Sequence, residues 1–543
     1  MKTLSAIFTI FFCSYFNLSI SQSFRTLTEG NLNYHCLVED NDGSFYLAAG
    51  WFMKFDNTGS FQFNKSYFEP KINQSCHFET WLNKTVAGDK IYMAIYYDSC
   101  FNAIWGTPLL CKLANDGNVL KSKSFLLNGT CAALGNKFNI LSSSNYLVHG
   151  YGGKPYNNLP NASVVRDAPF ALCVDSTLEN VVYAKYFNRM GNSAFACEVE
   201  NGSVVLGLNL DTIGPCLAKL DSAGNILWCR SYMQGHGLFM DAVSNADGSI
   251  MVTGYTDTIA WGLGPFPSWF YTKLLLMKID SGGAVLWSKG YDDTHPYHFV
   301  IKRPAIIQKT YDGNYMLGAT KITSNTMVSE TAYLLKVNTN GDLLWHNGFG
   351  LPSVAGPRTT ELYNFIPTHD SCYLITGNFL GGNSWTWGGS FLYKTDTSGT
   401  TPCGGNFVEP ITTTPLFYSD SLITLGSIDG ATVQDAYVID TVGGPLNTMD
   451  DCILLSTNNE TTNTYHAPAF PNPTNGEVTV PSSKIFERDS YVTVYDSTGR
   501  IIIQYGIAGK QTLKFNLSKF GSGLYLIKIN EQGKIRTEQV VVE

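Results

Sequence analysis

Short apolar runs separated by tight polar turns fill most of the chain, and one ten-residue pattern recurs among them. Residues 219–228 read Lys-Leu-Asp-Ser-Ala-Gly-Asn-Ile-Leu-Trp, and closely similar segments occupy 278–287 and 336–345. Each copy predicts a strand, an Asp-x-x-Gly or Asn-x-x-Gly turn, and a second strand with a large aromatic residue. The chain is therefore expected to consist of repeated β-hairpins.

The turn glycine sets the length of the repeat, which is about 58 residues. This glycine falls at Gly59, Gly117, Gly224, Gly283, Gly341 and Gly399, with a degenerate copy near Glu179 and Asn180. A second tight turn, such as Asp247-Gly248 or Asp312-Gly313, lies inside each unit. The pattern gives four short strands a unit and seven units, without helical periodicity.

Four antiparallel strands repeated seven times are typical of a propeller. The predicted fold is all-β: a seven-bladed β-propeller followed by a small C-terminal β-sandwich. A β-solenoid is the competing interpretation, but its coils are usually shorter and lack two hairpin turns each. The segment Ser23 to Leu27 has the pattern of an unpaired fourth strand, so we expect the N-terminus to complete the last blade.

The acids and aromatic residues of the repeat have a structural explanation. Asp at the start of such a turn accepts hydrogen bonds from backbone N–H groups two residues on, and glycine adopts the left-handed conformation. Trp228, Trp287 and Trp345 are expected to pack between blades. The repeat resembles the tryptophan-docking turn of quinoprotein (PQQ-like) and WD-like propellers, although it lacks their adjacent cysteine pair and has seven copies rather than eight.

Composition and charge place the chain among globular proteins. It has 543 residues, 44% apolar and 15% charged, and its net charge of -8 offers no basic surface for nucleic acid. Residues 1–21 are typical of a secretory signal peptide with cleavage after Ser21, and no later stretch predicts a transmembrane segment. The expected domains are the signal peptide, a propeller over 22–403, a β-containing connector and linker over 404–467, and a C-terminal domain over 468–543.

An exported chain with an even number of cysteines predicts disulfides. Twelve cysteines remain after Cys13 is removed with the signal peptide. Cys216 and Cys229 flank one hairpin turn and are expected to pair across it, while Cys403 and Cys452 are expected to staple the connector. Metal ligation is the weaker alternative because no Cys-x-x-Cys pair occurs.

The C-terminal segment changes pattern and carries a series of short motifs. Its marked residues are Pro471, Asn472, Pro473, Gly476, Tyr495, Asp496, Gly499, Arg500, Gly523 and Tyr525. In this order they resemble the type A C-terminal sorting domain of the type IX secretion system of Bacteroidetes. The resemblance implies passage through the periplasm, recognition by an outer-membrane translocon, and removal by a sortase-like peptidase. The product would be secreted or attached to the outer-membrane surface. The acidic Glu538 and Glu543 near the end leave the outcome of cleavage open.

Aromatic and histidine residues concentrate in the segments that interrupt the repeat. Those between second and third strands carry Trp105, Tyr156, Trp261, Trp269, Trp385 and Trp387, and the connectors between units carry His236, His295 and His298. In an up-and-down blade these segments share one face, which predicts a ligand-binding face for a glycan or protein partner. The alternative is that each ring packs under its own loop.

Enzyme interpretations find little support. Sialidase Asp-boxes space their Gly and Trp differently, and the Asp292, Asp293, His295, His298 segment is more typical of a solvated acidic loop than of a metal or acid–base site. No catalytic residue, metal or cofactor is predicted. The predicted function is a secreted or surface binding module. The alternatives are a hydrolase or lyase at the channel, which convergent carboxylates would indicate, and a structural adhesin.

Overall fold

The computed structural model describes residues 24–29, 36–48, 51–69, 74–75, 81–85, 88, 90–97, 106–128, 130, 132–155, 165–232, 237–256, 273–293, 304–322, 330–350, 359–381, 387–401, 406–407, 410–436, 438–442, 448–450, 470–482, 485–486, 490–496, 500–531 and 534–543. The chain divides into two compact units, Met1–Ser456 and Thr457–Glu543. Within the described residues every element longer than three residues is a β-strand, so the predicted all-β fold is confirmed.

Seven antiparallel sheets follow one another along the first unit, after an initial strand β1 (Phe24–Glu29) that joins the last of them. Sheet 1 contains β2 (Cys36–Glu39), β3 (Phe45–Ala48), β4 (Trp51–Phe55) and β5 (Phe61–Glu69), with β6 (Gln74–Ser75) beside β5. Sheet 2 contains β7 (Trp81–Lys84), β8 (Lys90–Tyr97), β9 (Gly106–Leu113) and β10 (Val119–Leu127). Sheet 3 contains β11 (Ala132–Ile140), β12 (Tyr146–Pro155), β13 (Val165–Val174) and β14 (Val181–Phe187).

The remaining four sheets repeat this arrangement. Sheet 4 contains β15 (Gly191–Glu198), β16 (Val204–Leu210), β17 (Gly214–Leu220) and β18 (Ile226–Ser231). Sheet 5 contains β19 (Leu238–Ser244), β20 (Ile250–Tyr255), β21 (Leu274–Ile279) and β22 (Val285–Asp293). Sheet 6 contains β23 (Ile306–Lys309), β24 (Tyr315–Ile322), β25 (Glu330–Val337) and β26 (Leu343–Phe349). Sheet 7 contains β27 (Thr359–Pro367), β28 (Tyr373–Gly381), β29 (Trp387–Lys394) and β1.

The sheets are joined in a ring through their first strands. Strand β2 contacts β7, and the contacts continue through β11, β15, β19, β23 and β27, which returns to β2. The first strand of each sheet is therefore innermost and the fourth lies outside. A ring of four-stranded meanders is the arrangement of a β-propeller, in agreement with the propeller-type region predicted from the repeat.

Closure of the ring depends on the N-terminal strand. Strand β1 pairs antiparallel with β29, from Phe24 opposite Lys394 to Glu29 opposite Gly389. It takes the fourth position in sheet 7, which the chain following β29 does not fill. The prediction that the N-terminal segment completes the last sheet is confirmed.

The apolar core lies between neighbouring sheets. Leu147 of sheet 3 packs in one cluster with Leu206 of sheet 4, and Leu276 of sheet 5 packs with Leu335 of sheet 6. Third strands are covered on both faces, so residues such as 274–277 are all buried and their sequence does not alternate. This packing explains why the repeat reads as continuous apolar runs before each turn.

Residues 406–450 add an outermost strand to every sheet, and we call this segment the belt. Its strands are β30 (Asn406–Phe407) on β26, β31 (Ile411–Leu416) on β22, β32 (Ser421–Leu422) on β18, β33 (Ser427–Asp429) on β14, β34 (Ala431–Asp435) on β10, β35 (Ile439–Val442) on β5 and β36 (Thr448–Asp450) on β1. The belt thus meets the sheets in the reverse of chain order. It occupies most of the segment for which the sequence predicts a β-containing connector.

The described residues of the second unit form six strands in two sheets. They are β37 (Glu477–Pro481), β38 (Tyr491–Tyr495), β39 (Ile501–Gly506), β40 (Thr512–Asn516), β41 (Gly523–Glu531) and β42 (Lys534–Val542). Strand β37 pairs with β40, and the other sheet has the order β39-β38-β41-β42. Alternating residues such as Val492, Val494, Ile527 and Val540 face one apolar core.

Candidate functional site

Most residues of the predicted ligand-binding face lie outside the described residues. These are Trp105, Tyr156, Trp261, Trp269, Trp385, His236, His295 and His298. Trp387 begins β29, where its backbone lies opposite Gly381, and its side chain is not described. The ligand-binding face therefore stays a prediction, and what the structure adds is the position of the strands that flank these segments.

The opposite face of the ring carries the tight turns, whose acids are engaged by the backbone. Asp221 Oδ1 accepts hydrogen bonds from Ala223 N at 2.9 Å and from Asn225 N at 2.8 Å. The equivalent Asp280 accepts the same pair of hydrogen bonds, as does Asn338. The structural interpretation of the turn acids is confirmed.

The repeated tryptophan covers the turn glycine of the next sheet. A Cβ on Gly341, whose φ is +74°, would lie 2.7 Å from Cη2 of Trp287. Trp228 lies over Gly283 and Trp345 over Gly399 in the same way. Glycine is needed here both for its backbone conformation and for the close approach of the indole. The prediction that these tryptophans pack between neighbouring members of the repeat is confirmed, because each one bridges two sheets.

A lysine two positions before the turn acid forms an ion pair that the sequence did not predict. It reaches the acid of the other turn in its own sheet, in the pairs Lys54–Asp42, Lys278–Asp247, Lys336–Asp312 and Lys394–Asp370. Lys394 Nζ is 2.6 Å from Asp370 Oδ2. Although burial alone would raise the pKa of Asp370, the hydrogen bond from Lys394 lowers it. The lysine recurs two positions before the turn acid, and this regularity in the sequence could have indicated the ion pair.

The inner strands bring charged residues together at the centre of the ring. The carboxylate of Asp241, in β19, accepts a hydrogen bond from Ile307 N of β23 at 3.1 Å and lies 3.5 Å from Lys137 Nζ of β11. Lys137 Nζ is also 5.3 Å from the ring centroid of Trp81 in β7. These contacts link four sheets, so Asp241 serves a structural role in the described part of the channel.

A buried Ser–His pair lies near this cluster. Ser193 Oγ is 3.2 Å from Nδ1 of His149, while Nε2 of His149 has no hydrogen-bond partner among the residues that the structure describes. A serine hydroxyl beside a histidine can act as a nucleophile when the imidazole accepts its proton. However, both side chains have no exposed surface, and burial lowers the pKa of His149 to about 3. The imidazole is therefore neutral and out of reach of a substrate, as in a packed core. Within the described residues no cluster of three or more His, Cys, Asp or Glu side chains is suited to a metal ion.

The predicted disulfide between Cys216 and Cys229 is wrong, because both are buried free thiols. Cys216 lies opposite Ser231, and Cys229 lies opposite Ala218, so the two cysteines are diagonal neighbours. The turn places Leu220 opposite Ile226 and, after a register shift, Lys219 opposite Trp228, and neither register brings Cys216 opposite Cys229. Burial raises the pKa of each thiol to about 12. The proposed partners Cys403 and Cys452 lie outside the described residues.

In the second unit the Pro-Asn-Pro motif holds the end of the chain. Asn472 Nδ2 donates a hydrogen bond to Gln539 O at 2.7 Å, and its Oδ1 accepts one from Val541 N at 2.9 Å. Thr474 N donates to Val541 O at 2.8 Å, and Glu543 N donates to Thr474 O at 2.9 Å. We call residues 472–474 the terminal clamp. It lies against β42 on the side away from β41.

The other motif residues fix turns and strand ends within the same unit. Asp496 accepts hydrogen bonds from Arg500 N and Arg500 Nε, both at 3.0 Å. Tyr525 is buried and donates its hydroxyl hydrogen to Gly521 O at 2.7 Å. The remaining motif residues are Pro471 and Pro473 beside Asn472, Gly476, whose carbonyl accepts from Leu517 N, Tyr495 at the end of β38, Gly523 at the start of β41, and Gly499, which lies outside the described residues. Most of the motif therefore has a structural role.

Comparison with known protein families identifies this unit. Residues 468–543 match the family described as "Secretion system C-terminal sorting domain". They are a type IX sorting domain. A sorting domain of this kind indicates a secreted or outer-membrane surface protein and implies the type IX secretion machinery. Among the described residues there is no helix with the length and apolarity needed to cross a membrane.

Solved structures that match the chain share little sequence with it. Hydrazine synthase of Kuenenia stuttgartiensis matches at 10% identity over 64% of this chain and 93% of that chain, with a TM-score of 0.42. Drosophila Plexin A, in complex with Semaphorin 1b, matches at 10% identity over 69% and 87%, with a TM-score of 0.34. A Dyadobacter fermentans protein of unknown function matches at 10% over 68% and 97%, with a TM-score of 0.33. TM-scores below 0.5 are too low to assign a fold or a function to this chain from these structures. No characterised protein matches in sequence.

The terminal clamp gives a test of the sorting domain. Asn472→Ala removes two hydrogen bonds to the last strand, each worth about 1 kcal/mol, and leaves the backbone hydrogen bonds of Thr474 on the edge of β42 that faces away from β41. We expect the amide of Val541 to exchange with solvent about tenfold faster, and the secreted fraction of the chain to fall severalfold in a host with type IX machinery.

Asn516→Ala is the matched control for the clamp. Asn516 is also exposed, and within the described part of the chain its side chain bonds only to the nearby Ser518. We expect this variant to be secreted at the wild-type level. Normal secretion of Asn472→Ala, together with faster exchange at Val541, would show that export does not depend on the clamp.

Proposed function

We propose that this chain is a secreted or surface-attached binding protein, in which a seven-bladed propeller presents a ligand-binding face and the sorting domain directs export. In this proposal the seven sheets are the blades, the signal peptide covers 1–21, and residues 468–543 form a small sandwich. The export part rests on the sorting domain. The binding part rests on how the chain varies around the ring.

The observation that supports the binding role is the unequal variation of the two faces. On the turn face, third and fourth strands are joined by short turns of nearly constant length, such as 221–225, 280–284 and 338–342. On the opposite face, the link between second and third strands ranges from residues 49–50 in sheet 1 to 256–273 in sheet 5. A rigid scaffold with variable loops on one side is typical of recognition proteins.

The chemistry of these segments indicates the class of partner. The links between second and third strands include Trp105, Tyr156, Trp261, Trp269 and Trp385, and Trp387 follows directly at the start of β29. Aromatic rings supply large contact area at low entropic cost, and tryptophan and tyrosine are enriched in binding sites. The turn face offers less, because its acids and lysines already bond to one another. A glycan is our first choice of ligand and a protein the second.

A glycan array tests the proposal. The full chain is compared with a variant in which Trp261, Trp269, Trp385 and Trp387 are all changed to alanine. Tyr311→Ala is the control, because this aromatic side chain is 60% exposed in a turn on the opposite face. We expect binding by wild type and control, and at least a tenfold loss in the quadruple variant.

The other outcomes are equally informative. Loss of binding in Tyr311→Ala alone would move the site to the turn face and contradict the proposal. An absence of binding by the wild type would exclude the glycans on the array in favour of a protein partner. Turnover of an arrayed sugar would indicate a hydrolase or lyase instead.

A further inference from the structure

The belt replaces long sheet edges with short ones. Without it, the fourth strands would form the outer edges of the ring, and β5, β10 and β22 are each nine residues long. An exposed edge of that length is a template for pairing with another chain. The belt strands contain two to six residues, and β31 includes Pro415, which has no N–H group to offer.

In sheets 2, 3 and 4 the belt is also opposite in charge to the strand that it covers. Residues 406–450 contain no lysine, arginine or histidine, and their charged residues are Glu409, Asp420, Asp429, Asp435, Asp440 and Asp450. The fourth strands of sheets 2, 3 and 4 present Lys123, Lys185 and Arg230. In two of these sheets the cation comes two residues after an aromatic residue, in Tyr183-x-Lys185 and Trp228-x-Arg230.

Three successive ion pairs join the belt to these cations. Lys123 Nζ is 2.6 Å from Asp435 Oδ1, Lys185 Nζ is 2.6 Å from Asp429 Oδ2, and Arg230 pairs with Asp420. Lys123 also binds Glu179 in the turn of sheet 3. Each pair assigns one belt segment to one sheet, which strand pairing through the backbone alone would not do.

Asparagine side chains and a glycine mark where the belt passes from sheet to sheet. Gly430 N donates a hydrogen bond to Ala184 O in sheet 3, and Gly430 O accepts one from Asn128 N at the end of β10 in sheet 2. Gly430 has φ +99°, and a Cβ there would lie 2.4 Å from Asn128 Nδ2. Asn188 contacts Gly426 in a similar way one sheet earlier along the belt. These contacts hold the belt in a single register.

The two ends of the first unit meet in sheet 7. Strand β36, the last of the belt, pairs with β1, with Thr26 opposite Asp450 and Thr28 opposite Thr448. Sheet 7 thus combines the N-terminal strand, strands β27 to β29, and the end of the belt. The ring is closed once by β1 and a second time by the belt.

We propose that the belt is a separable strap: an internal strand donor that fits the outer edges by charge and register and prevents them from pairing with a second copy of the chain. The occupant of the edges is residues 406–450, and the competing partner is the same edge in another molecule. The inner strands keep the ring intact when the strap loosens. The protein with its belt in place is a monomer.

The test neutralises the three ion pairs in the full chain, as Asp420→Asn, Asp429→Asn and Asp435→Asn together. Hydrogen exchange of belt residues 421–436 and the molar mass in solution are measured against the wild type. We expect exchange in the belt to become about tenfold faster, exchange in β15 and β19 to stay unchanged, and dimers or larger species to form as the concentration rises.

Two further measurements keep the result interpretable. Reversing one pair, as Lys185→Asp with Asp429→Lys, should restore the exchange that Asp429→Lys alone accelerates, at unchanged net charge. The wild type in about 1 M salt, where the Debye length is about 3 Å, should show faster exchange in the belt. The proposal is overturned if the triple variant exchanges and elutes like the wild type. It is also overturned if inner and outer strands open together, since the belt would then be inseparable from the fold.

Discussion

Trp287→Ala is expected to lower the free energy of unfolding of the ring unit by about 3 kcal/mol, the lower end of the range for large-to-small changes at packed aromatic residues. The indole of Trp287 covers Gly341 in the next sheet and packs against the core between sheets 5 and 6. Its removal leaves a gap at a junction between sheets that the rigid turn below cannot fill. Urea unfolding followed by circular dichroism measures the change.

Leu286→Ala is the matched control for this prediction. Leu286 precedes Trp287 on the same strand, but it is 54% exposed, so its truncation should change stability by less than about 0.5 kcal/mol. Gly341→Ala provides a second check, because its new Cβ would collide with the indole. Gly341→Ala should lower the free energy of unfolding less in the Trp287→Ala variant than in the wild type. Additive effects would contradict direct packing.

The repeat could be predicted because its signals are local. Turn glycines at a fixed period, flanked by apolar runs, define the hairpins, and the missing fourth strand of sheet 7 was recognisable from Ser23 to Leu27. The degenerate copy follows the same geometry. Leu178 takes the left-handed position of the glycine with φ +66°, and its side chain is fully buried. At this turn, burial of the Leu178 side chain offsets the strain of a backbone conformation that glycine adopts in the other copies.

The belt and the terminal clamp could not be predicted because their partners are distant in sequence. Belt strands of two to six residues have too few positions for a period. Most of their partners lie hundreds of residues away, and Asp450 of the last belt strand lies opposite Thr26 of β1. The clamp joins Asn472 to residues 67 and 69 positions later. The Cys216–Cys229 prediction failed for a local reason, because Cys216 lies farther from the turn than Cys229 and the two fall on diagonal rather than opposite positions.

Asp40→Asn is expected to destabilise the ring unit by about 3 kcal/mol, because it removes one partner from a buried ion pair. Asp40 lies in the turn after β2 of sheet 1, and its Oδ2 is 2.7 Å from Nζ of Lys90 in sheet 2, whose side chain is 1% exposed. Lys90 Nζ also donates to Asn115 Oδ1 at 2.6 Å and lies 4.6 Å from the Tyr46 ring centroid. These contacts leave the lysine partly compensated in the variant, which sets the effect at the low end of the range.

Asp42→Asn, two residues away in the same turn, is the control for Asp40→Asn. It removes an exposed surface charge and leaves the buried pair intact. The side chain of Asp42 is 63% exposed, and it lies 3.8 Å from Lys54. Exposed pairs of this kind contribute about 0–1 kcal/mol. Equal losses in the two variants would mean that the turn itself, rather than the pair with Lys90, supplies the stability.

The Asp40–Lys90 pair also predicts a pH dependence. Burial alone would raise the pKa of Asp40, but the hydrogen bonds from Lys90 and Asn41 N and the nearby lysine charges lower it to about 2. The pKa is thus depressed in the folded state. The resulting stability is present above about pH 4 and is lost as the pH falls towards 2. The wild type should lose more stability than Asp40→Asn between pH 5 and pH 2.5, measured as urea midpoints. Parallel curves would show that Asp40 has the same pKa in the folded and unfolded chain, and that Lys90 exerts no net electrostatic effect on it.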